Sequence, residues 1–88
     1  MRSETVDRFW QLYHALPAPI RQAAREAYRQ FAIDPSHPGL HFHKLEGHPD
    51  VWAVRIIRDY RAVGLKEGDT VTWFWVGSHQ DFNRTFPR

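Results

Sequence analysis

The residues best suited to chemistry in this sequence are basic ones. Arg55, Arg58 and Arg61 crowd into one short stretch, with Lys44, His41 and His43 before it and His79 after it. An arginine fork matches two phosphate oxygens at once and keeps its charge at physiological pH. A histidine gives or takes a proton near neutrality. Together such groups suit an anionic phosphorus centre that needs a cation, a base and an acid. There is no Cys, which excludes disulfides and thiolate metal sites. His41-x-His43 has metal-ligand spacing on one strand face, and His48 and His79 could join it. Without a Cys or carboxylate pattern of known spacing this signal is weak. The reading is therefore no metal and no cofactor.

The elements that must position these residues follow from periodicity. Ser3 or Thr5 can cap a first helix, with Glu4 and Asp7 favourable in its first turn. Val6, Phe9, Trp10, Tyr13 and Leu16 form one apolar stripe at helical spacing. Leu16-Pro17-Ala18-Pro19 ends that helix, and Pro19 suits the first position of the next. The second helix carries Ile20, Ala23, Ala24, Ala27, Tyr28 and Phe31 on one face and ends at Asp34-Pro35. So short a link predicts an antiparallel helical hairpin. Residues 34–40 read as loop. Phe42 to Leu45 reads as a short strand, Glu46 to Asp50 as a turn, and Val51–Ile57, Tyr60–Lys66 and Thr70–Val76 as strands joined by tight turns, hence an antiparallel meander. Ser78 to Phe86 reads as a helical turn or a frayed tail.

The predicted fold is α+β: an N-terminal helical hairpin on a three- to four-stranded antiparallel sheet. Its 88 residues form one domain spanning 1–88. A chain this short buries only about 60–65% of its unfolded surface, so it relies on its four Trp, six Phe and three Tyr. No stretch approaches the roughly 18 apolar residues of a membrane span, and the first residues do not read as a signal peptide. A cytoplasmic location with no membrane partner is the expectation. The net charge of +2 makes any nucleic-acid binding a matter of local Arg and Lys placement.

Two groupings stay open on sequence alone. Across a two-residue turn at Arg58-Asp59, Arg55 and Arg61 are neighbours on opposite sheet faces, unless a one-residue bulge brings them to the same face. Trp73 and Trp75 share one strand face, and Phe74 and Val76 the other. If the Trp pair faces the open side, it is a base-stacking platform or, the favoured reading, a hydrophobic groove for a protein partner. Arg21, Arg25 and Arg29 repeat every four residues on the polar face of the second helix. They read first as a solvated face, and second as a stripe for phosphates or for an acidic partner.

The stretch from Lys44 to Phe82 resembles the RelE/ParE family of toxins from type II toxin–antitoxin pairs. The residues that carry the resemblance are Lys44-Leu45, Trp52-Ala53-Val54-Arg55-Ile56, Asp59-Tyr60-Arg61-Ala62-Val63 and Trp75-Val76-Gly77-Ser78-His79, followed by Asp81-Phe82. The resemblance implies a toxin held by a cognate antitoxin, with its oligomeric state set by that complex. It also implies an endoribonuclease that cuts mRNA, often on the ribosome, inhibiting translation and arresting growth. The alternatives are a ParE-like toxin acting on a protein such as DNA gyrase, or a repurposed binding domain.

Arg61 matches the family's catalytic arginine, with Arg55 beside it, and His79 stands where some members place an acid or base. Lys44, Arg58, Phe82 and His43 are assigned to substrate binding. The sequence departs from the pattern in three places. Leu40-His41-Phe42-His43 stands where one subfamily has a Glu base; His41 or His43 could replace the carboxylate, but neither alone is the favoured reading. Phe82 stands near where several members have a Tyr. The strand that usually precedes the helices is expected to be missing.

Overall fold

The computed structural model describes residues 1–87. In chain order it has β1 (Arg2–Thr5), α1 (Asp7–His14), α2 (Ala18–Ile33), a 3-10 turn (Pro38–Leu40), β2 (His43–Lys44), β3 (Val51–Ile57), β4 (Tyr60–Glu67), β5 (Thr70–Ser78) and α3 (His79–Thr85). The strands form one sheet in the order β1-β5-β4-β3-β2. β2 to β5 are antiparallel, whereas β1 pairs parallel to β5. The α+β class holds, but the sheet has five strands where three or four are expected.

That extra strand is the one expected to be missing. Arg2-Ser3-Glu4-Thr5 has no apolar alternation and reads like a helix cap, yet backbone pairing needs none. Arg2 N–H donates to the Asp69 carbonyl at 2.8 Å, and Val6 N–H to the Trp73 carbonyl at 3.2 Å. The true N-cap of α1 is Val6, which supplies no side-chain acceptor. Ser3 therefore does not cap, and the Thr5 hydroxyl instead accepts from Trp10 Nε1 at 2.8 Å. Val6 leaves the helical stripe with it.

α1 rests mainly on β5 and α2 mainly on β3. Arginine ties the pair together: Arg21 donates to the Leu16 carbonyl and Arg25 to the Tyr13 hydroxyl. α2 begins at Ala18, one residue ahead of Pro19. Tyr13, Leu16, Phe31, Val54, Val71 and Trp73 form the core on the helix side. Leu45, Ala53 and Val63 form a second cluster on the other face, covered by Trp75, Phe82 and Phe86. Each fully buried valine or leucine contributes about 1.5–3 kcal/mol.

Two bulges decide which residues share a face. Pairing steps from Arg55–Arg61 to Ile57–Tyr60, leaving Ile56 as the extra residue. Neither Arg58 nor Asp59 has a positive φ, so the turn is not one of the mirror-image turns that match strand twist, and a bulge takes up the difference. By contrast, Gly68 opens the β4–β5 turn at φ +60, a conformation glycine adopts without strain. The second bulge lies at Phe74, between the pairs Val63–Trp75 and Gly64–Trp73. It turns Trp73 toward the helices and Trp75 to the opposite face. Trp73 and Trp75 therefore do not share the one face that plain alternation predicts for them; the bulge splits the pair between the two sides of the sheet.

Candidate functional site

The sheet face away from α1 and α2 carries the basic residues in two rows. His43, Ala53, Val63 and Trp75 pair in one row, and Arg55, Arg61 and Gly77 in the next. Paired residues share a face, so the bulge at Ile56 puts Arg55 and Arg61 side by side. That settles the alternative left open by the sequence.

α3 crosses this face. The Ser78 hydroxyl accepts from Asp81 N–H at 3.1 Å and starts the helix, with Asp81 favourable in its first turn and paired to Arg84. The spacing Ser78-x-x-Asp81 was the available signal that this segment is a helix and not a frayed tail. His79 N–H donates to the Asp59 carbonyl at 2.6 Å, which pins the start of α3 to the β3–β4 turn. The His79 ring stacks on Phe82, with centroids 6.1 Å apart at 22°.

Between α3 and the strands lies a cleft of about 560 Å³. Of the residues singled out from the sequence, Arg61, His79, His43, Lys44 and Phe82 line it. Arg55 is exposed on the strand beside Arg61. Arg58 sits in the exposed turn, where its carbonyl, and not its guanidinium, engages Arg61. Lys44 pairs with Trp52, and strand alternation directs it away from His43, so it reaches the cleft only at the rim. Phe86 and Asn83 also line the cleft; the sequence does not single them out, because a helical turn and a frayed tail both fit Ser78 to Phe86. His48 lies there too, its Nε2 3.1 Å from the Pro87 carbonyl. Among the described residues, no three His, Cys, Asp or Glu side chains gather as a metal site.

Arg61 is the most constrained of these side chains. Its Nη1 donates to the carbonyls of Ile57, Arg58 and Tyr60 at 3.0–3.1 Å, clasping the β3–β4 turn. Burial first, and then the neighbouring charge of Arg55, hold its pKa below the ordinary arginine value, while Asp59 pulls the other way. An arginine remains cationic nonetheless. With Nη1 occupied, Nη2 and Nε are left for a ligand, and Arg55 adds a second cation.

The helix face carries a separate apolar groove of about 520 Å³ between α1, α2 and the sheet. Trp10, Tyr13, Tyr28, Phe31 and Trp73 line it, with Arg25 and Arg29 at its polar edge. Trp10 is 43% exposed and Tyr28 53%. The Trp73 indole N–H is buried without an acceptor among the described residues.

A family model described as the ParE-like toxin domain matches residues 18–84, and the chain belongs to that family. The fold is similar to a RelB–RelE antitoxin–toxin complex from Methanococcus jannaschii, with a TM-score of 0.76, 19% identity, and coverage of 96% of this chain and 99% of that one. It is also similar to the YoeB/ParE toxin from Agrobacterium tumefaciens, with a TM-score of 0.68, 18% identity, and coverage of 90% and 99%. The intact E. coli RelBE toxin–antitoxin complex matches with a TM-score of 0.65, 20% identity, and coverage of 86% and 93%. No curated protein matches at the sequence level. The membership expected from the Lys44–Phe82 motifs therefore holds. Among the described residues, no helix is long and apolar enough to cross a membrane.

Proposed function

We propose that this chain is the toxin of a toxin–antitoxin pair and cleaves mRNA without a metal. The observation that carries this reading is the gathering of Arg61, His43 and His79 in one cleft, with Arg55 paired to Arg61. In the reaction, the ribose 2′-oxygen loses its proton to a base and attacks phosphorus. The bond to the 5′-oxygen breaks as an acid protonates it, leaving a 2′,3′-cyclic phosphate and a 5′-hydroxyl. Arg55 and the free nitrogens of Arg61 stabilise the phosphorane, with Lys44 assisting from the rim. His79 supplies proton transfer. Phe82 offers a ring on which a base can stack but cannot move a proton.

Antitoxin binding is the partner half of this reading. The apolar groove suits a segment with large hydrophobic side chains, Arg25 and Arg29 suit acidic ones, and an acceptor from that segment would satisfy the Trp73 indole. Two of the three similar structures named above are toxin–antitoxin complexes.

A second reading, a ParE-like toxin directed at a protein such as DNA gyrase, is favoured by one observation: Arg61 spends Nη1 on the turn and so has a structural role without catalysis. Primer extension on cellular mRNA after induction separates the two. Discrete cuts that vanish in Arg55→Ala, with the fold intact, support the nuclease. Growth arrest with intact mRNA moves the assignment to a protein target.

A further inference from the structure

We infer that His43 is the general base of the cleft and His79 its acid. This assignment rests on the nuclease reading above and adds the direction of proton flow. Three observations carry it. The first is placement. His43 pairs with Ala53 in the row next to Arg55 and Arg61, and it lines the same cleft as Arg61 and His79. The second is a fixed tautomer. His43 Nδ1 lies 2.7 Å from the His41 carbonyl oxygen. A carbonyl only accepts, so Nδ1 carries the proton, and the neutral ring presents its lone pair on Nε2. The third is the backbone conformation that places that carbonyl. His41 closes the 3-10 turn at φ 45, with its own N–H bound to the Pro38 carbonyl at 3.2 Å. This left-handed residue holds its carbonyl on the His43 ring, much as a carboxylate or carbonyl orients the imidazole in other proton-transfer sites.

His48 also lines the cleft with a ring nitrogen on a carbonyl, that of Pro87, but it lies in the β2–β3 turn and not in the strand rows that carry Arg55 and Arg61, and the remaining groups lack the chemistry or the placement. Lys44 has three donors and no acceptor while charged. Among the described residues lining the cleft, Glu46 is the only carboxylate, and it sits exposed in the β2–β3 turn. The His41 ring stands 4.6 Å from that of His43, but its backbone acts here as the orienting group. His79 is held differently: its backbone is fixed by Asp59 and its ring lies on Phe82, so no carbonyl dictates its tautomer. In its protonated form it gives its proton to the leaving 5′-oxygen, while His43 Nε2 takes the proton of the 2′-hydroxyl.

The test is mRNA cleavage in a translating extract by wild-type protein and by His43→Gln, His43→Ala and Glu46→Gln, with cut positions and 3′ ends mapped. A Gln amide can still donate to the His41 carbonyl but is no base. His43→Gln and His43→Ala are expected to lose cleavage by about 10²–10⁴-fold, and near-UV circular dichroism is expected to stay that of wild type. Added imidazole is expected to restore cutting at the same positions in His43→Ala alone. A purely structural role for His43 would not respond to imidazole. Cleavage by His43→Gln within a few-fold of wild type, or loss only in Glu46→Gln, overturns the assignment while the nuclease reading stands. No cleavage by wild type overturns the nuclease reading itself, and this assignment with it.

Discussion

Arg61 shows how one side chain can serve the fold and the site together. Its three carbonyl acceptors close a turn whose backbone geometry does not favour a flat hairpin. Arg61→Ala should therefore lower the unfolding free energy by about 0.5–1.5 kcal/mol, because the turn carbonyls it leaves are exposed or half-buried and water can replace part of the clasp. Chemical denaturation measures this directly. Arg55 lacks such ties and is exposed, so Arg55→Ala should stay within about 0.5 kcal/mol of wild type while removing phosphate binding. A loss of activity in Arg61→Ala alone is therefore ambiguous, whereas the same loss in Arg55→Ala is not. At this scale the sequence was informative about residue type: Arg61, His79, His43 and Phe82 were singled out and meet in one cleft. The clasp was not legible, because it depends on where three carbonyls of the turn point, and side-chain identity carries no trace of that.

The elements fix these positions through a few local contacts. The Ser78 hydroxyl holds the first turn of α3, and α3 lays Phe82 and Phe86 over Leu45, Val63 and Trp75. Ser78→Ala should cost about 1 kcal/mol and fray α3 first, seen as faster amide exchange there than in β4. Gly77 is a second control point. A Cβ at that position would stand 2.8 Å from the Trp75 ring, so Gly77→Ala should push the indole off the strand beside Arg61. A changed near-UV spectrum, with the far-UV spectrum retained, is the expected signature. The strands were legible from their β-branched and aromatic runs. The faces were not, since Ile56 and Phe74 bulge for reasons of turn geometry and sheet twist that no alternation pattern records. β1 was missed for the opposite reason: an edge strand paired by backbone alone needs no apolar signature.

For the whole molecule, the sheet is a partition. One side holds the aromatic groove under α1 and α2; the other holds the basic cleft under α3. The core valines Val63, Val71 and Val76 are fully buried between them. If the groove receives the antitoxin and the cleft the RNA, the two functions should separate by mutation. Tyr28 is half-exposed on α2 and takes no part in the cleft. Tyr28→Glu adds a charge to an apolar wall that a partner must desolvate, at a cost of a few kcal/mol. About half of the side chain is already in solvent, so folding should be little affected. The expected result is a chain that still cuts mRNA but is no longer neutralised when its antitoxin is co-expressed, with a binding constant weakened by about tenfold or more. Arg55→Ala should give the reverse: antitoxin binding unchanged by calorimetry and cleavage lost. If Tyr28→Glu is neutralised as well as wild type, the antitoxin does not use the groove, and its docking must be sought on the cleft face, where it would compete with RNA directly.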